Sequence, residues 1–225
     1  MTDSPASLAK QPHRDLSIDQ QHALTTAATR LERDFAETLS VETIERFLHL
    51  SYDQFASRAK IPNFLPLLAE RFARQRLHAL ARVEGKIADG KPTALFLCTH
   101  NAGRSQMALG FFNYLAGAGA VAWSGGSEPG NQINPAAVAA MSEVGIDITG
   151  EFPKPWTDEI VQAADVVVTM GCGDACPIFP GKRYENWELP DPAGQGLDAV
   201  RPIRDEIEGR VRTLLKLLNV PVAQA

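Results

Sequence analysis

Cysteine is scarce in this chain, with three residues in 225. That is too few for a disulfide-held scaffold, and the odd count fits a reducing compartment better than an oxidising one. A basic surplus is also missing. The formal net charge is −5 and the pI about 5.6, so bulk electrostatics offer nothing to nucleic acid, which is usually met by a basic face. The N-terminal stretch MTDSPASLAKQPHRD lacks the apolar core of an export signal. These absences point to a cytoplasmic protein without a nucleic-acid partner. No internal repeat or low-complexity tract is found. Long apolar runs are missing too, with one near-exception. Ser105–Ser127 carries no charge, and Met107–Trp123 is apolar enough to be mistaken for a membrane span. Asn113 interrupts it and Gly117 and Gly119 divide it, so a buried helix followed by a buried strand is expected, with no membrane insertion. What is present is an ordinary globular balance, 44% hydrophobic and 22% charged. It excludes disorder throughout and suffices for one large domain, or a core domain with an appendage.

Residues 1–15 read as a mobile arm, 16–88 as a helical domain and 91–220 as a second domain. Ser17 and Gln20 have capping-box spacing, and Leu24, Ala27, Ala28, Leu31 and Phe35 recur at helical spacing. Ser40 can cap a second helix carrying Val41, Ile44, Phe47 and Leu48. A short third helix is expected over Ser51–Ala59, ended by Pro62 and Asn63. Leu65, Leu68, Phe72, Leu77 and Leu80 mark one more, whose Arg71, Arg74, Arg76 and Arg82 read as a solvated face. After a linker at 85–92 the pattern becomes strand and helix in alternation. Strands are expected at Thr93–Cys98 (TALFLC), Ala120–Ser124, Asp165–Met170 (DVVVTM) and Arg183–Trp187. Helices are expected near Arg104–Leu115, Pro135–Glu143, Asp158–Gln162 and Leu197–Leu218. The fold class is therefore α/β: a parallel four-stranded sheet with helices on both faces, preceded by a small all-α bundle. A bundle that small buries little by itself, so docking or homodimer formation is its expected use.

The most informative segment is Cys98-Thr99-His100-Asn101-Ala102-Gly103-Arg104-Ser105. It follows a buried strand and opens a helix, at the sheet edge where ligands bind in such folds. A loop there turns backbone N–H groups inward and adds the positive end of a helix dipole, making a cradle for an oxyanion. Gly103 suits a backbone conformation that other residues resist. Arg104 can clamp two oxygens of a tetrahedral anion, as Lys cannot. Cys98 sits in the same field, which stabilises its thiolate, and Ser105 can give that sulfur a hydrogen bond.

Cys98–Ser105 resembles the phosphate loop of low-molecular-weight protein tyrosine phosphatases and of the arsenate reductases built on that fold. The resemblance runs over about Thr93–Leu218, through GIDITG (Gly145–Gly150), DVVVTM, CGDACP (Cys172–Pro177) and ELPDPAG (Glu188–Gly194). Cys172 and Cys176 follow the third strand at the same sheet edge as Cys98, and can meet if their segment takes a helical turn. Zinc normally wants four ligands, and among His13, His22, His49, His78 and His100 only His100 is near, so no metal is assigned. The resemblance to thioredoxin-coupled reductases implies that the two thiols form a relay with Cys98, although their spacing is shorter than in that group. It also implies that Asp191, held between Pro190 and Pro192, donates a proton to the leaving oxygen. Where tyrosine phosphatases tend to carry an aromatic residue after this Asp-Pro pair, Ala193 stands, which favours a small inorganic oxyanion. Asn101 is expected to brace the cradle through loop backbone, and Trp187 to belong to the core.

The resemblance thus implies an arsenate reductase with arsenate as substrate, thioredoxin as external reductant and no organic cofactor. Its catalytic residues would be Cys98, Arg104, Asp191, Cys172 and Cys176, and the loop Thr99–Ser105 would bind substrate. Three alternatives stand beside it. They are a low-molecular-weight tyrosine phosphatase, a mycothiol-coupled arsenate reductase and an arsenic-sensing DNA-binding protein, the last opposed by the acidic charge.

Overall fold

The computed structural model describes residues 16–57, 64–171 and 178–222, so the expected arm at 1–15 lies outside them. Two compact units are present: Met1–Ala88 with Thr157–Ala163, and Asp89–Trp156 with Ala164–Ala225.

The first unit is helical. Helix α1 (Ile18–Phe35) starts at Ser17, whose hydroxyl accepts from the Gln20 amide at 3.2 Å while Gln20 Oε1 accepts from the Ser17 amide at 3.0 Å. That is the reciprocal cap its spacing predicts. Helix α2 (Val41–Ala56) is capped by Ser40, as expected. It does not break at Ser51, however. Ser51 and Tyr52 are buried and continue the face begun by Phe47 and Leu48, so one helix replaces the expected pair. Helix α3 is Leu65–Val83. Leu24, Leu31 and Phe35 of α1, Ile44 and Leu48 of α2, and Leu65, Ala69, Ala73 and Leu77 of α3 form the core. A further helix of this unit, α6 (Asp158–Ala163), comes from far along the chain and packs on α3. Arg76 departs from the expected solvated face. It lies one turn after Phe72, is 6% exposed, and donates from Nε to Glu159 Oε1 of α6 at 2.6 Å. Its guanidinium also covers the rings of Phe47 and Phe72. Arg74 is half-buried, and its hydrogen bond holds the Asp34 carboxyl below the usual carboxylate range.

The second unit is a four-stranded parallel sheet in the order β2-β1-β3-β4. Its strands are β1 (Thr93–Cys98), β2 (Val121–Gly126), β3 (Val166–Thr169) and β4 (Arg183–Asn186). On one face Ala94, Phe96, Val166 and Val168 pack against α4 (Arg104–Ala116), α5 (Pro135–Glu143) and α7 (Leu197–Leu217). Leu95, Leu97 and Val167 alternate with them and are fully buried as well, which is why these strands read as continuous apolar runs. The charge-free stretch resolves into α4 and β2, and no described helix is long and apolar enough to cross a membrane. Strand β2 runs on to Gly126, past the expected end. A Cβ on Gly125 would stand 2.9 Å from Trp156 backbone, and one on Gly126 2.6 Å from the Thr99 carbonyl. Gly126 lets the β1–α4 loop lie directly on the strand, and Gly125 gives the same room to the Trp156 backbone.

Candidate active site

Strand β1 delivers Cys98, 3% exposed, to the carboxyl edge of the sheet, and α4 begins at Arg104 with no side chain capping its N-terminus. The positive end of the helix thus faces the loop. Cys98 Sγ lies 3.0 Å from Ser105 Oγ. Asn101 Nδ2 donates to the same oxygen at 2.9 Å. With one lone pair of the hydroxyl occupied by Asn101, its proton is free to be donated to a Cys98 thiolate.

Asn101 is fully buried and braces the loop through side chains as well as backbone, a wider role than expected. Its Oδ1 accepts from Gln106 Nε2 at 3.0 Å and from the Lys154 amide at 3.0 Å, and its carbonyl accepts from Gln106 Nε2 at 3.0 Å. Asn101 also carries the left-handed backbone of the loop, with φ 46°, a conformation Asn tolerates better than most residues. Gly103 is needed for a different reason from the one its position suggested. Its φ is −129°, and a Cβ there would stand 2.7 Å from Pro192 Cγ. Close approach of the Asp191 segment, rather than a left-handed turn, requires the glycine.

Arg104 is 7% exposed at its side chain, and donates from Nη2 to Asp191 Oδ2 at 3.0 Å and from Nη1 to the Leu189 carbonyl at 3.3 Å. Asp191 Oδ1 accepts from the Ala193 amide at 3.0 Å. One carboxylate oxygen therefore caps its own turn while the other faces the arginine. Behind Arg104, the left-handed Gly171 (φ 73°) makes room: a Cβ there would lie 2.6 Å from Arg104 Nη1. Thr99 Oγ1 donates to the Gly171 carbonyl at 3.0 Å. His100 Nδ1 lies 3.0 Å from the Glu128 carbonyl, so its Nε2 is left for the solvent side. Trp187 is buried beside Phe96, in the core as expected.

These groups surround a cavity of about 330 Å³ lined by Cys98, Arg104 and Asp191, with His100, Gln132 and Asn134 at its rim. No Phe, Tyr or Trp is among the described lining residues. The structure thus brings together Cys98, Arg104, Ser105 and Asp191; Cys172 and Cys176 fall outside the described residues. Gln106, Gly126, Asn134, Lys154 and Gly171 support the site without having been singled out in the sequence. Of these, only the Gly125-Gly126 pair closing a strand left a local trace.

The model of the low molecular weight phosphotyrosine protein phosphatase family matches residues 93–223, and that of the protein-tyrosine-phosphatase-like N-terminal domain matches 24–81. Arsenate reductase 1 of Staphylococcus epidermidis is 40% identical over 127 residues, 55% of this chain and 95% of that protein. The glutaredoxin arsenate reductase of Synechocystis sp. is 38% identical over 128 residues, 56% of this chain and 97% of that protein. The solved thioredoxin-dependent arsenate reductase of Corynebacterium glutamicum superimposes with a TM-score of 0.79 at 44% identity, covering 89% of this chain and 98% of that one. That likeness extends into the helical half. The family match runs from β1 past α7, and the chain belongs to the low molecular weight phosphotyrosine protein phosphatase family.

Proposed function

We propose that this protein is an arsenate reductase that converts arsenate to arsenite in the cytoplasm, with thioredoxin as its reductant. The observation that carries the choice of substrate is the cavity wall. Cys98 and Arg104 stand ready for a tetrahedral oxyanion, yet no described Phe, Tyr or Trp is present to pack on an aryl group. Relatives named arsenate reductase support the same reading.

The Cys98 thiolate attacks arsenic, and a hydroxide leaves with a proton from Asp191, giving an arsenic(V) thioester. Cys172 then attacks the Cys98 sulfur. The S–S bond forms as the S–As pair returns to arsenic, so arsenite departs and two thiols have supplied two electrons. Cys176 attacks Cys172, frees Cys98 and leaves a Cys172–Cys176 disulfide for thioredoxin. In support, the residue before Cys172, Gly171, is tied to the loop by Thr99. Loop residues Thr99–Ser105 would hold the anion through backbone N–H groups and Arg104. Residues 16–88 would serve as the helical, self-associating part and 91–220 as the reductase part. Sedimentation checks the first role, since a monomer at micromolar concentration would end it.

The direct test is arsenite release from arsenate with thioredoxin, thioredoxin reductase and NADPH. Cys176→Ser should allow a single turnover and accumulate a Cys98–Cys172 disulfide, while Cys172→Ser should stop earlier, with arsenic held on Cys98. Fast aryl phosphate hydrolysis with no arsenate-dependent disulfide would favour a phosphatase instead. Full activity of both serine variants with mycothiol and a glutaredoxin-like partner would favour that thiol.

A further inference from the structure

Asn134 opens α5 and lies at the rim of the cavity, tied to three separate pieces of the unit. Its amide donates to the Ala102 carbonyl in the cradle at 2.8 Å. Its Oδ1 accepts from the Ala136 amide at 2.9 Å, capping α5. Its Nδ2 donates to the Pro192 carbonyl at 2.9 Å, one residue beyond Asp191. Pro135 behind it disfavours the helical conformation and biases Asn134 to extended backbone, and φ −61° with ψ 119° is what is found.

The residue type is informative. Capping a helix needs only an acceptor, which Ser, Thr or Asp supplies about as well. The Pro192 contact needs a donor at the same time, and a side-chain amide supplies both from one rigid group. Other contacts also hold the Asp191 segment: the Arg104 donations to Asp191 and Leu189, the packing of Pro192 on Gly103, and, further back at the Glu188 carbonyl, a donation from Arg210 Nη2 at 3.3 Å. An oxyanion in the cradle takes the Arg104 guanidinium for itself, so the Arg104 contact next to Asp191 is given up just when Asp191 has to act. The Asn134 bond does not involve the anion and persists.

We infer that Asn134 is a positioning residue that clamps the acid segment over the cradle while substrate occupies Arg104. This deepens the proposed reductase reading and rests on Asp191 as the proton donor. The clamp holds the carboxyl within reach of the leaving oxygen but touches neither arsenic nor sulfur.

The test uses full-length reduced protein without thioredoxin, and follows the rate of the single arsenite released at saturating arsenate. Asn134→Ser keeps a cap but is too short to reach Pro192; Asn134→Asp keeps the shape and replaces the donor by an acceptor. Both should slow the step about tenfold, part of what a positioned general acid contributes. The arsenate concentration for half-maximal rate should change by less than about twofold, because cradle and Arg104 are untouched. In an Asp191→Asn background, Asn134→Ser should add no further slowing, since the group it positions is gone. Equal slowing in both backgrounds, or weaker arsenate binding at an unchanged maximal rate, would overturn the clamp. An Asp191→Asn variant as fast as wild type would instead remove the acid itself. Asp191→Asn slow and Asn134→Ser fast would sink the clamp alone.

Discussion

Each unit contains a buried arginine facing a carboxylate, and the two pairs differ in their partners. Arg76 and Glu159 are 6% and 15% exposed, and the guanidinium is covered by Phe47 and Phe72. Arg104 is 7% exposed, but Asp191 is 51% exposed and stands at a cavity mouth. A buried cation with a buried partner is committed to packing; separating them strands both charges. A buried cation with an exposed partner can exchange it for a ligand of the same sign without stranding anything. For these two pairs it is burial of the partner, and not burial of the arginine, that differs.

The largest effect expected is at the sulfur beside the second pair. Cys98→Ser should abolish arsenite formation and leave the thermal midpoint nearly unchanged, because the thiolate is the attacking atom. Retained turnover would take the loop out of the mechanism. The two arginines should then split cleanly. Arg104→Lys should lower kcat/KM by about 2–3 kcal/mol, since a point charge replaces a bidentate fork, with little change in urea stability. Arg76→Met should do the reverse, costing about 3 kcal/mol of stability by leaving Glu159 unpaired, with activity retained below the unfolding transition. Equal loss of stability in both variants would break the contrast.

Deleting residues 1–88 probes the same packing less sharply. It strips α6 of α3, on which it packs, and should thereby expose Ile160 and Val161, which are buried in the intact chain. A folded sheet with a lower thermal midpoint and new binding of a hydrophobic dye is expected, and polar substitution of Ile160 and Val161 should reverse the dye binding.

The smallest effect lies at an exposed pair. Arg201, and Arg204 beside it, hold the Glu143 carboxyl down from 4.5 to about 2. A depressed carboxylate stabilises the fold above its unfolded pKa, and that contribution fades as the pH falls through its folded one. The melting difference between wild type and Glu143→Gln should therefore be steady near neutrality and shrink between pH 4.5 and about 2. A difference independent of pH would show that the pair adds nothing.

The loop was legible because its motif is contiguous: Cys98, Arg104 and Ser105 follow a strand whose apolar run announces itself. Asp191 was legible only through the two prolines beside it and the family likeness. Asn134 was not legible at all, since an Asn before Pro at a helix start is an ordinary cap and its second bond goes to Pro192. Arg76 was misplaced because charge suggested solvent, whereas its spacing from Phe72 put it on the apolar face.

Short-range patterning determined the order of strands and helices, the caps at Ser17 and Ser40, and the placing of an anion loop at the end of β1. Those depend on neighbours within a turn or two, which the chain order supplies directly. Tertiary structure decided which polar groups meet. Arg76 found Glu159, Arg104 found Asp191 and Asn134 found Pro192 because sheet order and helix packing bring distant segments within hydrogen-bond reach. Hydrogen bonds act over about 3 Å, a distance that separation along the chain does not encode.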